Sequence, residues 1–112
     1  MHELSVAQSI VELAESIALQ ENADSIYSID IEIGTLSGVV IDALEFAMEI
    51  TIKDTRLQNA KINYLKKTGI AKCENCGEKF ETNHLLAVCP YCHAMNFSVI
   101  DGKQLRVKSL VI

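Results

Sequence analysis

Apolar residues recur at Leu4, Ala7, Ile10, Val11, Ala14, Ile17 and Ala18, a rhythm of threes and fours. Glu12, Glu15, Ser16 and Gln20 fall mostly on the opposite side, so the pattern predicts an amphipathic helix beginning almost at residue 1. Ser5 with Gln8 three residues on has the form of a capping box, with a first turn that already includes His2 or Glu3 as the alternative, and Asn22 supplies a stop. Ile29, Ile31 and Ile33 then alternate with Asp30, Glu32 and Gly34, which predicts a strand with one buried and one wet face. Gly34-Thr35-Leu36-Ser37-Gly38 reads as a turn, and its glycine spacing is not that of a phosphate-binding loop.

A second helix is predicted from about Val40 or Asp42 to Lys53, with Val40, Leu44, Ala47, Met48 and Thr51 on one stripe and Phe46 and Met48 in the core. Ala60, Ile62 and Tyr64 mark a second strand, and the alternation from Leu105 to Ile112 marks a third. The order predicts an α+β fold: a small three-stranded sheet with two helices packed on it, plus a zinc-ribbon-like module inserted before the last strand. The body would be residues 1–70 and 98–112, and the module residues 71–97.

Composition narrows the possibilities. The chain has 112 residues, 49% of them hydrophobic, enough for a core, and its net charge of −5 argues against nucleic acid or an anionic membrane surface. Aromatic residues are 5% with no Trp, so there is no base-stacking platform. The start lacks the basic residues and the roughly 7–15 apolar residues of a secretory signal. No run approaches the roughly 18 apolar residues of a membrane span. A cytoplasmic location is the expectation, and there ordered cysteine pairs signal metal or redox chemistry more often than disulfides.

All four cysteines lie in Cys73-Glu74-Asn75-Cys76 and Cys89-Pro90-Tyr91-Cys92, with twelve residues between the pairs. Two such knuckles meeting place four thiolates around one ion, and Zn(II) suits that set because it favours soft sulfur and imposes no d-electron geometry. Gly77 eases the first turn, and Phe80, Leu85, Leu86, Val88 and Phe97 are the candidates for a mini-core. Iron could occupy the same sulfurs. A disulfide or redox pair is the weaker reading, because a redox C-x-x-C opens a helix beside a strand and needs no second copy. His84 and His93 are expected at the surface of the module, with exchange of His93 for a cysteine as the sharper alternative.

The opening Met1-His2-Glu3 is a chain of nitrogen donors: the terminal amine, the amides of His2 and Glu3, and the His2 ring. Amine and amide close a five-membered chelate, and Nδ1 with the His2 amide closes a six-membered one. Such planar nitrogen sets suit Ni(II) and Cu(II). A large second residue keeps Met1 in place. No nucleophile–base constellation is visible and four-sulfur zinc has no open position, so an enzyme is not expected.

Taken jointly, these residues resemble the HypA/HybF family of nickel-insertion proteins for [NiFe]-hydrogenase maturation. The likeness rests on Met1-His2-Glu3, the stretch from Ile31 to Gly38, the helix with Ala43-Leu44-Glu45-Phe46-Ala47, the two cysteine pairs, and the closing stretch from Gly102 to Leu110. The resemblance implies nickel held at Met1, His2 and Glu3 and structural zinc at Cys73, Cys76, Cys89 and Cys92. It also implies delivery to the hydrogenase large subunit with a maturation GTPase, and in some organisms service to urease maturation proteins. His93 stands where that family often has glycine. The rival reading is a zinc-ribbon protein-interaction module without nickel function.

Overall fold

A computed structural model describes residues 3–112. Along the chain run α1 (Glu3–Gln20), β1 (Ser28–Gly34), α2 (Ile41–Thr51), β2 (Lys61–Lys67), β3 (Gly69–Cys73), β4 (Lys79–Thr82), β5 (Phe97–Asp101) and β6 (Leu105–Val111). They form two three-stranded sheets, ordered β2-β1-β6 and β4-β3-β5. The expected α+β class holds: two helices, a three-stranded sheet, and a last strand recruited from beyond the cysteine segment. The chain divides into two compact units, one of residues through Glu32, Val39–Leu65 and Arg106–Ile112, the other of Ile33–Gly38 and Lys66–Leu105.

In the first unit α1 buries Val6, Ala7, Ile10, Val11, Ala14 and Ala18, and α2 buries Leu44, Ala47 and Met48. Small alanines on the facing stripes let two helices approach closely. Ile29 and Ile31 of β1 are fully buried, as the alternation predicted. The other face of β1 is drier than expected. Glu32 is only 2% exposed, and Arg106 of β6 covers its carboxylate with a guanidinium at 3.1 Å. A buried carboxylate needs such a partner, because stripping its water without one costs far more than the pairing gains. Beside it Asp30 accepts from the Asn63 side-chain amide at 2.8 Å and from the Ser109 hydroxyl at 3.2 Å, stitching β2, β1 and β6 through their side chains. Arg56 ties the loop after α2 to α1, its backbone N–H and guanidinium each 2.6 Å from a Glu15 carboxylate oxygen.

Three expectations in this unit are corrected. Leu4, read on the buried stripe of α1, is 49% exposed, and with α1 running from Glu3 the first turn includes Glu3 and Ser5 is not its cap, the alternative the sequence also offered. Phe46 is not in the core: it is 64% exposed, since its position falls one residue off the stripe of Leu44, Ala47 and Met48. Val40 precedes α2 as its N-cap, where its side chain escapes the helix's buried face and is 60% exposed.

In the second unit β3 is central, pairing antiparallel with both neighbours so that Ala71 lies opposite Phe80 on β4 and Val99 on β5, and Cys73 opposite Phe97. Where Ile33–Gly38 joins this unit, the Gly34 N–H donates to the Gln104 carbonyl at 2.7 Å and the Leu36 N–H to the Gly102 carbonyl at 2.8 Å. A Cβ on Gly34 would collide with the Gly102 carbonyl and come within 2.8 Å of the Gln104 nitrogen, so backbone meets backbone with no room between. Replacement Gly34→Ala should therefore lower the unfolding free energy by about 2–4 kcal/mol, read from urea denaturation.

Candidate metal centre

The cysteine pairs sit on two matched turns. In the first, the Cys73 N–H donates to the Glu78 carbonyl at 2.9 Å and the Gly77 N–H to the Cys73 carbonyl at 3.0 Å. In the second, the Cys89 N–H donates to the Ala94 carbonyl at 2.8 Å and the His93 N–H to the Cys89 carbonyl at 2.9 Å. The residue after each pair adopts the left-handed conformation, Gly77 with φ of 79° and His93 with φ of 64°. Gly77 thus fills the role its sequence position suggested. The N–H groups of Asn75 and Cys76 both point at the Cys73 sulfur, at 3.4 Å.

These turns bring four sulfurs together. Cys73 Sγ lies 3.5 Å from Cys92 Sγ, Cys76 Sγ lies 3.7 Å from Cys89 Sγ, and all four fall within 4.8 Å of one another. Zinc–sulfur bonds of about 2.3 Å place the sulfurs of a tetrahedron about 3.8 Å apart, so the donor set fits a four-thiolate ion. Neither His84 nor His93 belongs to this cluster. No cysteine is in a disulfide.

The sulfurs are also part of the packing. Cys73 and Cys89 are buried with Ala71 and Phe80, and Ala87, Cys92, Ala94 and Phe97 pack against them. Phe80 and Phe97 meet edge to face, with ring centroids 5.7 Å apart. Phe80 and Phe97 were legible as core candidates. Leu85, Leu86 and Val88 were not correctly read: they are 56%, 89% and 49% exposed, because residues 83–88 form no strand to carry them inward. The β4-β3-β5 sheet was missed and has a weaker signal, Phe80 between Lys79 and Glu81 on β4 being the one clean alternation, while Ala71 on β3 has Ile70 on one side and Lys72 on the other.

Without an ion, the cluster cannot hold four negative charges. At Cys92 the Asn75 side-chain amide, followed by the Ala94 N–H, holds the thiol down at about 6. At Cys76 the Glu78 N–H pulls the same way, but desolvation and the three neighbouring sulfurs outweigh it and push the thiol up to about 12. Metal binding must displace protons from the thiols, so metal affinity falls as pH falls.

At the other candidate site, Met1 and His2 lie outside the described residues. Glu3 opens α1, and its Oε2 accepts a hydrogen bond from the Val40 N–H at 3.1 Å. Val40 is the N-cap of α2 and makes no side-chain cap bond of its own. A carboxylate 37 residues away therefore takes the place of the missing local cap and favours the positive end of the helix dipole.

Two outcomes follow from this geometry. Stripping metal with a chelator should abolish hydrogen-exchange protection at the amides of Cys73, Gly77, Cys89 and His93, while α1 keeps its protection and its circular dichroism. Replacement Glu3→Ala should speed exchange at the Val40 amide and cost about 1 kcal/mol, whereas Glu3→Gln, which keeps an acceptor, should lose less.

The family model described as "Hydrogenase/urease nickel incorporation, metallochaperone, hypA" matches residues 1–112. A protein of Parabacteroides distasonis named hydrogenase maturation factor HypA is 44% identical over 112 residues, covering 100% of this chain and 97% of that one. Another of that name from Geobacter metallireducens is 38% identical, covering 100% and 99%. Among solved structures, the solution structure of the Ni metallochaperone HypA from Helicobacter pylori superposes with a TM-score of 0.68 at 26% identity, covering 100% of this chain and 97% of that one.

Proposed function

The chain belongs to the HypA family of nickel-incorporation metallochaperones, and on that premise we propose that it carries Ni(II) at its N-terminus and delivers it to the [NiFe]-hydrogenase large subunit. The match of the family model across the whole chain is the observation that carries this reading. Nickel is cargo, held by Met1, His2 and Glu3 through the amine, the amide nitrogens and the His2 imidazole. Such ligands on a chain terminus can be exchanged one at a time for those of a recipient, which a buried cage would prevent. Copper would bind the same nitrogens more tightly, so selectivity rests on metal supply and on the partner.

Zinc is the resident ion, held by Cys73, Cys76, Cys89 and Cys92, and it supplies the positive charge that lets four thiolates share one core. The work divides between a nickel body, residues 1–70 and 98–112, and a zinc module, residues 71–97, which holds shape and positions partners. A maturation GTPase assists the transfer in the cytoplasm, and urease maturation proteins are the second class of client. Among the described residues no helix is long and apolar enough to cross a membrane.

The test is a nickel titration of four proteins: the native chain, one extended by a few residues before Met1, His2→Ala, and Cys76→Ala. The native chain should give a diamagnetic, yellow-orange species. The extension and His2→Ala should each weaken binding by roughly tenfold or more, and Cys76→Ala should bind nearly as well as the native chain. Equal binding by the first three rejects the terminal site, and loss of nickel in Cys76→Ala shows that zinc and nickel sites are coupled.

A further inference from the structure

Charge is distributed unevenly along this sequence. Residues 1–52 contain ten of the 15 acidic residues and none of the ten Lys and Arg, a formal charge of −10, while the rest of the chain carries +5. Neither helix holds a single Lys or Arg: α1 bears Glu3, Glu12 and Glu15, and α2 bears Asp42, Glu45 and Glu49. The density of charge along α2 is felt by Tyr64, whose hydroxyl is pushed up to about 12 by burial first and then by Glu45 and Glu49.

On this acidic layer lies a groove of about 320 Å³ lined by Glu3, Leu4, Ala43, Phe46, Ala47 and Ile50. Its large apolar walls face water: Leu4 and Ile50 are each 49% exposed and Phe46 is 64% exposed. Phe46 and Ile50 stand one turn apart on α2, with Ala43 and Ala47 on the same stripe leaving a trough between them and Leu4. Asp42, Glu45 and Glu49, spaced three and four apart, form a parallel acidic stripe beside the apolar one. Leaving this much apolar surface wet is costly for a domain that buries its other helical stripe completely. From Ala43 to Ile50 the trough runs about 10 Å, the length of two helical turns.

We propose that this groove docks a basic amphipathic helix belonging to the protein that exchanges nickel with this chain. A helix presenting two apolar side chains one turn apart fits the trough, and Lys or Arg beside them meets Asp42, Glu45 and Glu49. The groove includes Glu3, so an occupant lies beside the first residues of the chain. Docking and metal transfer thereby share one place, which shortens the path of an ion that must not be released to water. The proposal rests on the nickel-carrier reading for the identity of the partner. The shape and charge of the occupant rest on the groove alone.

The probe is a synthetic helical peptide with leucines one turn apart and lysines flanking them, titrated into the isotope-labelled, zinc-loaded full chain. A peptide with glutamates replacing the lysines is the control. Binding should shift the amides of Leu4, Ala43, Phe46, Ala47 and Ile50, weaken with added salt, and fall by roughly tenfold for the glutamate peptide or in Phe46→Ser. The double replacement Glu45→Lys and Glu49→Lys should reverse the preference between the peptides. Shifts centred elsewhere, or equal binding of both peptides, overturn the proposal. Concentration-dependent shifts of the same amides without peptide assign the groove to a second copy and also overturn it. With the maturation GTPase and the hydrogenase large subunit of the same host, Phe46→Ser should weaken at least one complex by about tenfold while its nickel titration matches the native chain. Unchanged binding of both partners overturns the assignment. A native chain that takes up no nickel removes the carrier function, yet leaves the peptide result to judge the groove.

Discussion

Four cysteine sulfurs are held within 4.8 Å of one another, and two of those residues are buried. Four thiolates at such distances repel one another strongly in a medium that screens less than water. The Cys76 thiol, pushed up to about 12 against the pull of the Glu78 N–H by desolvation and its three sulfur neighbours, expresses that repulsion, while hydrogen bonds from Asn75 and Ala94 relieve it at Cys92. The apolar packing immediately around the sulfurs is small, chiefly Ala71, Phe80 and the partly buried Phe97. Packing of that size stabilises a fold only marginally, so an ion bound by the four sulfurs would belong to the fold's energetics as much as to its chemistry.

The two ends of the molecule's chemistry follow from opposite requirements. An ion resident among the four sulfurs would be retained by soft ligands drawn from two turns, each fixed by its own backbone hydrogen bonds. For the transported ion proposed above, nitrogens from one short run of chain would let dissociation proceed ligand by ligand. Residues 1–52, with no Lys or Arg and a formal charge of −10, suit the carrier role proposed above, because acidic groups attract a divalent cation at long range without any cage to trap it. Glu3 joins the two levels of the argument. Its carboxylate is engaged with the start of α2, so the first turn of α1 is anchored where a partner would have to reach.

The sequence was most readable where one period dominated. Ile29, Ile31 and Ile33 alternate cleanly and are fully buried, and the 3–4 rhythm of α1 matches its buried stripe at Ala7, Ile10, Val11, Ala14 and Ala18, though Leu4 at its start is exposed and Ile17 only half-buried. The cysteine spacing announced its cluster because two C-x-x-C turns have few other ways to place their sulfurs. Reading failed where tertiary context overrides local pattern. Glu32 falls on the polar phase of β1 yet is buried by Arg106, a residue 74 positions away that no local window contains. Phe46 is large and apolar, but hydrophobicity alone does not say on which side of a helix stripe a residue falls. Leu85 and Leu86 look like core material, and only the absence of a strand beneath them leaves them in solvent. The cap of α2 was invisible for the same reason as Glu32, since it comes from another helix.

His93 shows how backbone and side chain can be set by different needs. The two knuckles impose the same left-handed conformation after each pair, as the near-equal φ angles of 79° at Gly77 and 64° at His93 show. Glycine meets that demand freely, whereas a residue with a Cβ pays about 1–2 kcal/mol for it. The second knuckle bears this cost and still forms, its turn closed by the His93 N–H on the Cys89 carbonyl and by the Cys89 N–H on the Ala94 carbonyl. Those bonds lie inside the loop that presents Cys89 and Cys92, so the stability that offsets the strained residue comes from the same turn that orders the sulfurs. The imidazole is carried by a backbone fixed from both sides, and the four-sulfur cluster forms without it. Strain at this position is thus a consequence of building the cluster from two equivalent turns when only one of them has glycine.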